Sequence, residues 1–265
     1  MGATLVCVDA FTTEAFRGNP AAVCVLNEAL DDARMQTIAA ELNLSETAFV
    51  VEAGDGFGLR WFTPTVEVVL CGHGTLAAAH VLWETGRLAP GTAARFSTRW
   101  KGELRANRFG TAVELDFPAA PSPLVDTPAG LAAALGARPV AVGVNDLHHV
   151  VEVADETTVR SLTPDLEALL DVDVEAVTVT ARSDDPAYDF VSRYFAPRHG
   201  ITEDPVTGSA HTSLGPWWAE ALGKRELVGH QVSHRGGVVT VIVGGDDRVT
   251  LRGDAVTIWR GELTV

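Results

Sequence analysis

The alternation of apolar and polar residues divides the chain into many short extended runs and a few helical ones. Residues 4–11 and 21–26 read as strands, separated by a polar turn containing Arg17, Gly18, Asn19 and Pro20. Residues 31–42 read as an amphipathic helix with Met35, Ile38, Ala39 and Leu42 on one face. Strands follow at 46–51 and 58–62. Residues 74–84 form a helical run containing Leu76, Ala77, Ala78, Ala79, Val81, Leu82 and Trp83, apolar on nearly every side. Such a helix must be covered all round. In a strand-rich chain the simplest cover is a sheet rolled about it. Further strands are expected at 94–98, 102–105 and 111–116.

A Pro/Ala/Ser stretch at 118–123 and a short helix at 129–135 read as a connection. The order then repeats. Strands are expected at 149–153, 176–181 and 190–195, with a helix near 163–170. A second long helix is expected at 209–222, bent or broken by Gly215-Pro216. Strands at 232–243, 248–252 and 255–265 close the chain, with a Gly-Gly-Asp-Asp turn at 244–247. The pattern predicts a first lobe over 1–118, a connection over 119–136 and a second lobe over 137–265.

One motif occurs twice in degenerate form. Arg60-Trp61-Phe62-Thr63-Pro64 precedes Cys71-Gly72-His73-Gly74-Thr75, and Arg193-Tyr194-Phe195-Ala196-Pro197 precedes Thr207-Gly208-Ser209-Ala210-His211. Each copy reads as strand, glycine turn and helix N-terminus. A helix N-terminus offers unpaired backbone N–H groups and a partial positive charge, so it holds anions. Two such ends, around Gly72 and Gly74 and around Gly208, suggest two lobes sharing one small anionic substrate.

Composition narrows the classes. A chain of 265 residues, 46% hydrophobic, supports a large core. Its net charge of −15 repels phosphate backbones, which excludes nucleic acid as an expected partner. No long unbroken apolar run suggests a membrane span, and the first residues lack the basic stretch of a secretory signal. Val6 stands where a myristoylation signal after Met1-Gly2 needs Ser or Thr. Cys7, Cys24 and Cys71 are an odd, sparse set, read as reduced thiols of a cytoplasmic protein. His73 and His80 are seven apart and no Cys-x-x-Cys pair occurs, so no metal is expected.

The segments Val8-Asp9-Ala10-Phe11, Gly18-Asn19-Pro20-Ala21-Ala22-Val23, Ser45-Glu46-Thr47-Ala48-Phe49, Cys71-Gly72-His73-Gly74-Thr75 and Glu203-Asp204-Pro205-Val206-Thr207-Gly208-Ser209-Ala210-His211 resemble the PhzF-like (phenazine biosynthesis) isomerase family. The resemblance implies an α+β, diaminopimelate epimerase-like fold, with two pseudo-symmetric lobes each a β-roll around a central helix. It also implies a cofactor-free, cytoplasmic homodimer in a biosynthetic pathway. The implied activity is a proton shift in a small unsaturated, cyclic amino acid or carboxylate. Glu46 matches the family's proton-abstracting carboxylate. His73, Asp204 and Ser209 match its companions, and Gly72 and Gly208 its backbone donors.

Each of these residues also has a plainer reading. Glu46 opens a strand; walled by apolar neighbours such as Phe49, it would have a raised pKa and cycle as base and acid. His73 is either a core histidine or a proton relay. Asp204 opens an Asp-Pro turn, or orients His73 or the substrate's amino group. Ser209 suits a helix cap as well as a donor role. Asn19 is a turn residue and a candidate substrate contact. Trp217 and Trp218 read as core aromatics. The related epimerases of this fold use two facing cysteines. Cys71 holds the first of those positions and Thr207 the second, so a two-thiol epimerase or racemase is disfavoured and Cys71 reads as a buried filler. The rival from another class is a catalytically silent small-molecule-binding protein.

Overall fold

The computed structural model describes residues 3–89, 91–245 and 247–264. Along the chain run β1 (Ala3–Ala10), β2 (Asn19–Leu26), α1 (Asp32–Leu42), β3 (Glu46–Ala53), β4 (Gly56–Phe62), β5 (Glu67–Val68), α2 (Gly72–Glu84), β6 (Ala94–Thr98), β7 (Gly102–Phe109) and β8 (Ala112–Pro118). Then come α3 (Leu131–Leu135), β9 (Ala141–Val144), β10 (His149–Glu152), α4 (Glu156–Ser161), α5 (Leu166–Asp171), β11 (Val177–Arg182), β12 (Phe190–Ala196) and β13 (Ile201–Asp204). The last elements are α6 (Gly208–Leu222), β14 (Glu226–Gln231), β15 (Gly237–Val243), β16 (Arg248–Gly253) and β17 (Ala255–Leu263). Met1-Gly2, Asp246 of the 244–247 turn and the last residue of the 255–265 strand lie outside the described residues.

Two units emerge. The first runs to Asp116 and takes back the chain from Arg252 onward; the second is Phe117–Leu251. The division differs from a simple split at residue 118 because β17 pairs antiparallel along the whole of β1, from Ala3 opposite Leu263 to Ala10 opposite Ala255. The 119–136 segment belongs to the second unit, where Leu131, Ala134 and Leu135 are buried with Val151, Val179 and Phe195.

The internal repeat is visible in the pairing. In the first unit β1–β2 is antiparallel, β2–β3 parallel, β3–β4 and β4–β5 antiparallel, β4–β6 parallel and β6–β7 antiparallel. In the second, β9–β10 is antiparallel, β10–β11 parallel, β11–β12 and β12–β13 antiparallel, β12–β14 parallel and β14–β15 antiparallel. The order is the same. Helix α2 packs against β1, β2, β3, β7 and β17, and α6 against β14 and β15. Leu76, Ala77, Ala78, Ala79, Val81 and Leu82 are wholly buried, as an all-round apolar helix inside a rolled sheet requires.

The arginines of the repeated motif are structural. Arg60 forks onto Glu67 at 2.6 Å and lies 5.2 Å over the Phe62 ring. Arg193 forks onto Glu203 at 2.6 and 2.9 Å and lies 5.0 Å over Phe195. Each pair ties β4 or β12 to the short strand after it.

Three expectations change. The helix α6 runs unbroken through Pro216. The carbonyl of Thr212, which Pro216 cannot engage, accepts the Ala120 N–H at 3.0 Å, and Gly215 sits where a Cβ would strike Val241 at 2.5 Å. The helix expected near 163–170 is two short helices, because Thr163 precedes Pro164 and the α region is disfavoured there. The strand expected over 232–243 begins only at Gly237, after a turn in which Gly236 has φ +67° and donates its N–H to Ser233 Oγ, and a further strand, β14, precedes that turn. Among the described residues no helix is long and apolar enough to cross a membrane.

Candidate active site

In the first unit β2 and β3 run parallel, with Glu46 beside Ala21. Strand periodicity puts Glu46 on the face turned to α2, and Phe49 on the other face with Met35, Ile38 and Phe62. Phe49 therefore does not wall Glu46; His73 does. The imidazole Nε2 lies 2.9 Å from Glu46 Oε2, and His73 is 5% exposed.

The start of α2 fixes His73. Cys71 is the N-cap in extended geometry, and its Sγ accepts the Gly74 N–H at 3.2 Å. The thiol is therefore more than a filler, and Gly74 offers no free N–H to a ligand. Gly74 is required: a Cβ there would lie 2.9 Å from both Cys71 Sγ and Trp61 Cδ1. The sulfur stands 3.6 Å from His73 Nδ1. Asn19 Nδ2, fully buried at the start of β2, lies 3.3 Å from the same Nδ1. This amide suits either state of the ring. Its nitrogen donates to a bare Nδ1, and its oxygen, turned over, accepts from a protonated one. Asn19, expected as a substrate contact, holds the histidine.

Burial pulls the His73 pKa down, but Cys71 and Glu46, by charge and by hydrogen bonding, prevail and hold it well above the ordinary histidine value. Burial pushes the Cys71 thiol up. Glu46, opposite Nε2, thus favours the protonated form of the ring. Burial also pushes Cys24 up to about 12, and none of Cys7, Cys24 and Cys71 is in a disulfide.

The second unit holds Asp204 at the end of β13 and Ser209 in the first turn of α6. Thr207 is the N-cap but makes no side-chain cap; its hydroxyl donates to the Asp204 carboxylate instead. Gln231, wholly buried on β14, binds the pair together. Its Oε1 accepts the Thr207 N–H at 2.8 Å, and its Nε2 donates to the Asp204 carbonyl at 2.7 Å and to Thr207 Oγ1 at 3.2 Å. Ser209 is half-buried, and its carbonyl accepts from Thr212 Oγ1 at 2.7 Å. Thr207, not Ser209, is the cap residue of the helix. Burial, with Asp204 nearby, pushes the Tyr194 phenol up.

Register makes the two units comparable residue by residue. Thr47 faces Phe62 as Val177 faces Phe195, so Glu46 corresponds to Ala176. Cys71 and Thr207 are the two N-caps, so His73 corresponds to Ser209. The acid–base pair exists in the first unit alone. In the second unit an alanine and a serine hydroxyl stand at those two places. Asn19 and Gln231 were the groups least accessible to sequence reasoning: a turn asparagine and a strand glutamine become ligand-like only when their partners are known.

Elsewhere in the first unit a cavity of about 370 Å³ lies under α1, lined by Leu30, Met35, Phe49, Leu59, Arg60 and Arg99. Its arginines are paired with Asp32 and Glu67, and Glu46, Cys71 and His73 do not line it.

The family described as phenazine biosynthesis-like protein matches residues 8–261. The chain is 46% identical over 264 residues to an uncharacterized isomerase of Halalkalibacterium halodurans, covering 97% of this chain and 96% of that one. A crystal structure of a phenazine biosynthesis PhzF family protein from Enterococcus faecalis superposes with a TM-score of 0.95 at 41% identity, over 100% of both chains. At 13% identity and a TM-score of 0.62, a hydroxyproline epimerase of Agrobacterium vitis shares the fold over 99% of this chain and 92% of that one. The α+β, diaminopimelate epimerase-like class expected from sequence is the class observed.

Proposed function

Because the chain belongs to the phenazine biosynthesis-like (PhzC-PhzF) family and is an isomerase, we propose that it shifts a proton, and with it a double bond, in a small unsaturated cyclic amino acid or carboxylate. The observation that carries this reading is the Glu46–His73 pair at 2.9 Å. A carboxylate hydrogen-bonded to a protonated imidazole is a base and an acid held side by side. Glu46 takes a proton from a ring carbon next to a conjugated system, the electron pair moves into that system, and a proton returns at another carbon from Glu46 or His73. The step needs neither metal nor organic cofactor.

Asp204, Ser209 and Gly208 are proposed to hold the amino and carboxylate groups of that substrate, with Gly72 as a backbone donor beside His73. The asymmetry of the units favours this over a stereoinversion by two matched acids, since Ala176 and Ser209 carry no equivalent of Glu46 and His73. The same reading makes the protein a cytoplasmic homodimer serving a biosynthetic pathway.

The test is incubation in D₂O with unsaturated cyclic amino acids, beginning with a dihydro-hydroxyanthranilate, followed by NMR. Deuterium at a ring carbon with a displaced alkene signal is expected, and Glu46→Gln should lower its rate about 10²–10⁴-fold with little change in binding. Inversion at an α-carbon without movement of the double bond, or full activity of Glu46→Gln, overturns the proposal.

A further inference from the structure

Glu46, His73 and Asn19 meet at one end of the first unit. Glu46 opens β3 beside Ala21 of β2, and Asn19, the first residue of β2, holds His73 of α2. Ala10, the last residue of β1, pairs with Asn19. Residues 11–18, which join β1 to β2, therefore leave and re-enter the sheet at the end that carries the acid–base pair. Among the described residues four that are not glycine have positive φ: Phe11, Phe16, Asn43 and Asp247. Asparagine and aspartate tolerate that region because their short side chains bond locally; phenylalanine has no such group. Both phenylalanines stand in this one loop.

In Phe11 burial offsets the strain. The residue is wholly buried, its N–H donates to the Asp254 carbonyl at 2.7 Å, and its ring takes the space beside Gly253, where a Cβ would lie 2.3 Å from Cδ1. In Phe16 burial offsets nothing: at φ +68° the residue is 72% exposed. Its backbone is nevertheless fixed. The Phe16 N–H donates to Oδ2 of Asp9 at 2.7 Å, and Asp9 is buried. Thr12 Oγ1 accepts the Glu14 N–H at 3.0 Å and donates to the Glu14 carbonyl at 3.1 Å, which braces the approach. A buried carboxylate thus holds an aromatic residue out in water, in a disfavoured backbone state, at the end of the unit where Glu46 and His73 lie. Strain maintained in this way preorganises a residue for a ligand. We propose that Phe16 covers the unsaturated ring of the substrate while Glu46 and His73 act on it, and so selects cyclic substrates over open-chain ones. Asp9 is its positioning residue. The inference rests on the proton-shift reading and adds to it the side chain that chooses the substrate.

Anthranilate is the probe, because it carries a ring, an amine and a carboxylate, and its aromatic ring has no double bond free to shift. Titration calorimetry on the whole protein should give an affinity that falls about tenfold in Phe16→Ala and stays within about threefold in Phe16→Tyr, the worth of one aromatic contact. β-Alanine, which keeps the spacing of amine and carboxylate without the ring, should be rejected alike by wild type and Phe16→Ala. Phe16→Ala should melt within about 2 °C of wild type, because the residue it shortens is exposed. If it does not fold, Phe16→Gly, which suits a positive φ, replaces it. The proposal is overturned if the wild type does not bind anthranilate, if Phe16→Ala binds it as tightly, or if Phe16→Tyr loses as much as Phe16→Ala. A lower melting temperature in both the alanine and the glycine variants marks a structural residue and overturns it too. The titration measures binding without turnover, so its failure is told apart from that of the proton-shift reading, which deuterium exchange decides.

Discussion

Asn19 Nδ2 lies 3.3 Å from His73 Nδ1, across the ring from the nitrogen that faces Glu46. Asn19 is thus a positioning residue for His73. Asn19→Ala removes one hydrogen bond of about 1 kcal/mol, so kcat should fall roughly fivefold. The protonated ring also loses its acceptor, so the alkaline limb of the rate profile should move to lower pH, and Asn19→Asp should move it to higher pH. A pH profile of deuterium exchange checks both directions. An unmoved limb in both variants refutes the role.

His148 and His211 give the second unit an acid-labile core. Burial, aided by His149 and His211, pushes His148 down to about 3. Burial pushes His211 down to about 4 against its hydrogen bond to the Thr207 carbonyl. An unfolded histidine titrates near 6.5. Stability should therefore be full above about pH 6.5 and fall as pH drops toward the native values, because the unfolded chain takes up protons that the fold excludes. Near pH 4.5 His148 should cost about 2 kcal/mol. Denaturant unfolding across pH 4–8 measures this, and His148→Gln should flatten the acid decline.

Gly74→Ala places a methyl group against Trp61 and Cys71 at once. Overpacking of this kind costs about 1–3 kcal/mol. The melting temperature should fall while secondary structure persists, and His73 should lose its alignment with Glu46. An unchanged Tm would mean that Trp61 yields freely.

Much of the fold was legible because it rests on periodicity and on a repeat. The all-apolar run 76–82 demanded a rolled sheet, and the paired Arg-x-Phe segments announced two units. Glu46, His73, Asp204 and Ser209 were singled out through family motifs, and the structure sets Glu46 2.9 Å from His73. What was not legible depended on partners distant in sequence. Pro216 stays helical because Ala120 donates to the Thr212 carbonyl that Pro216 leaves without an N–H, and the last strand belongs with the first because β1 needs a second edge partner. The role of Phe49 was misread for a local reason: positions three apart on a strand face opposite ways, so it could not line the Glu46 site.

Gln231→Ala should separate structure from chemistry in the second unit. It strands the buried Thr207 N–H and removes the amide that bridges Thr207 to the Asp204 carbonyl, at a cost of about 1–3 kcal/mol. Once a substrate is in hand, KM should rise more than kcat falls, since the groups disturbed bind rather than transfer protons. A kcat loss as large as that of Glu46→Gln would instead place Asp204 in the chemistry.

β1 has β2 along one edge and β17 along the other. In order of synthesis, β1 is made before the stretch from Phe117 to Leu251 and β17 after it. The stretch from Phe117 to Leu251 emerges uninterrupted and has all its strands before β17 exists. The unit that carries Glu46 and His73 waits one strand short until residues 255–263 are made. Until then β1, apolar and largely buried in the finished sheet, presents an open edge of the kind on which nascent chains aggregate. Ribosome-stalled chains ending near residue 251 should thus protect the second half from protease and leave the first half, with its reactive pair, unfinished.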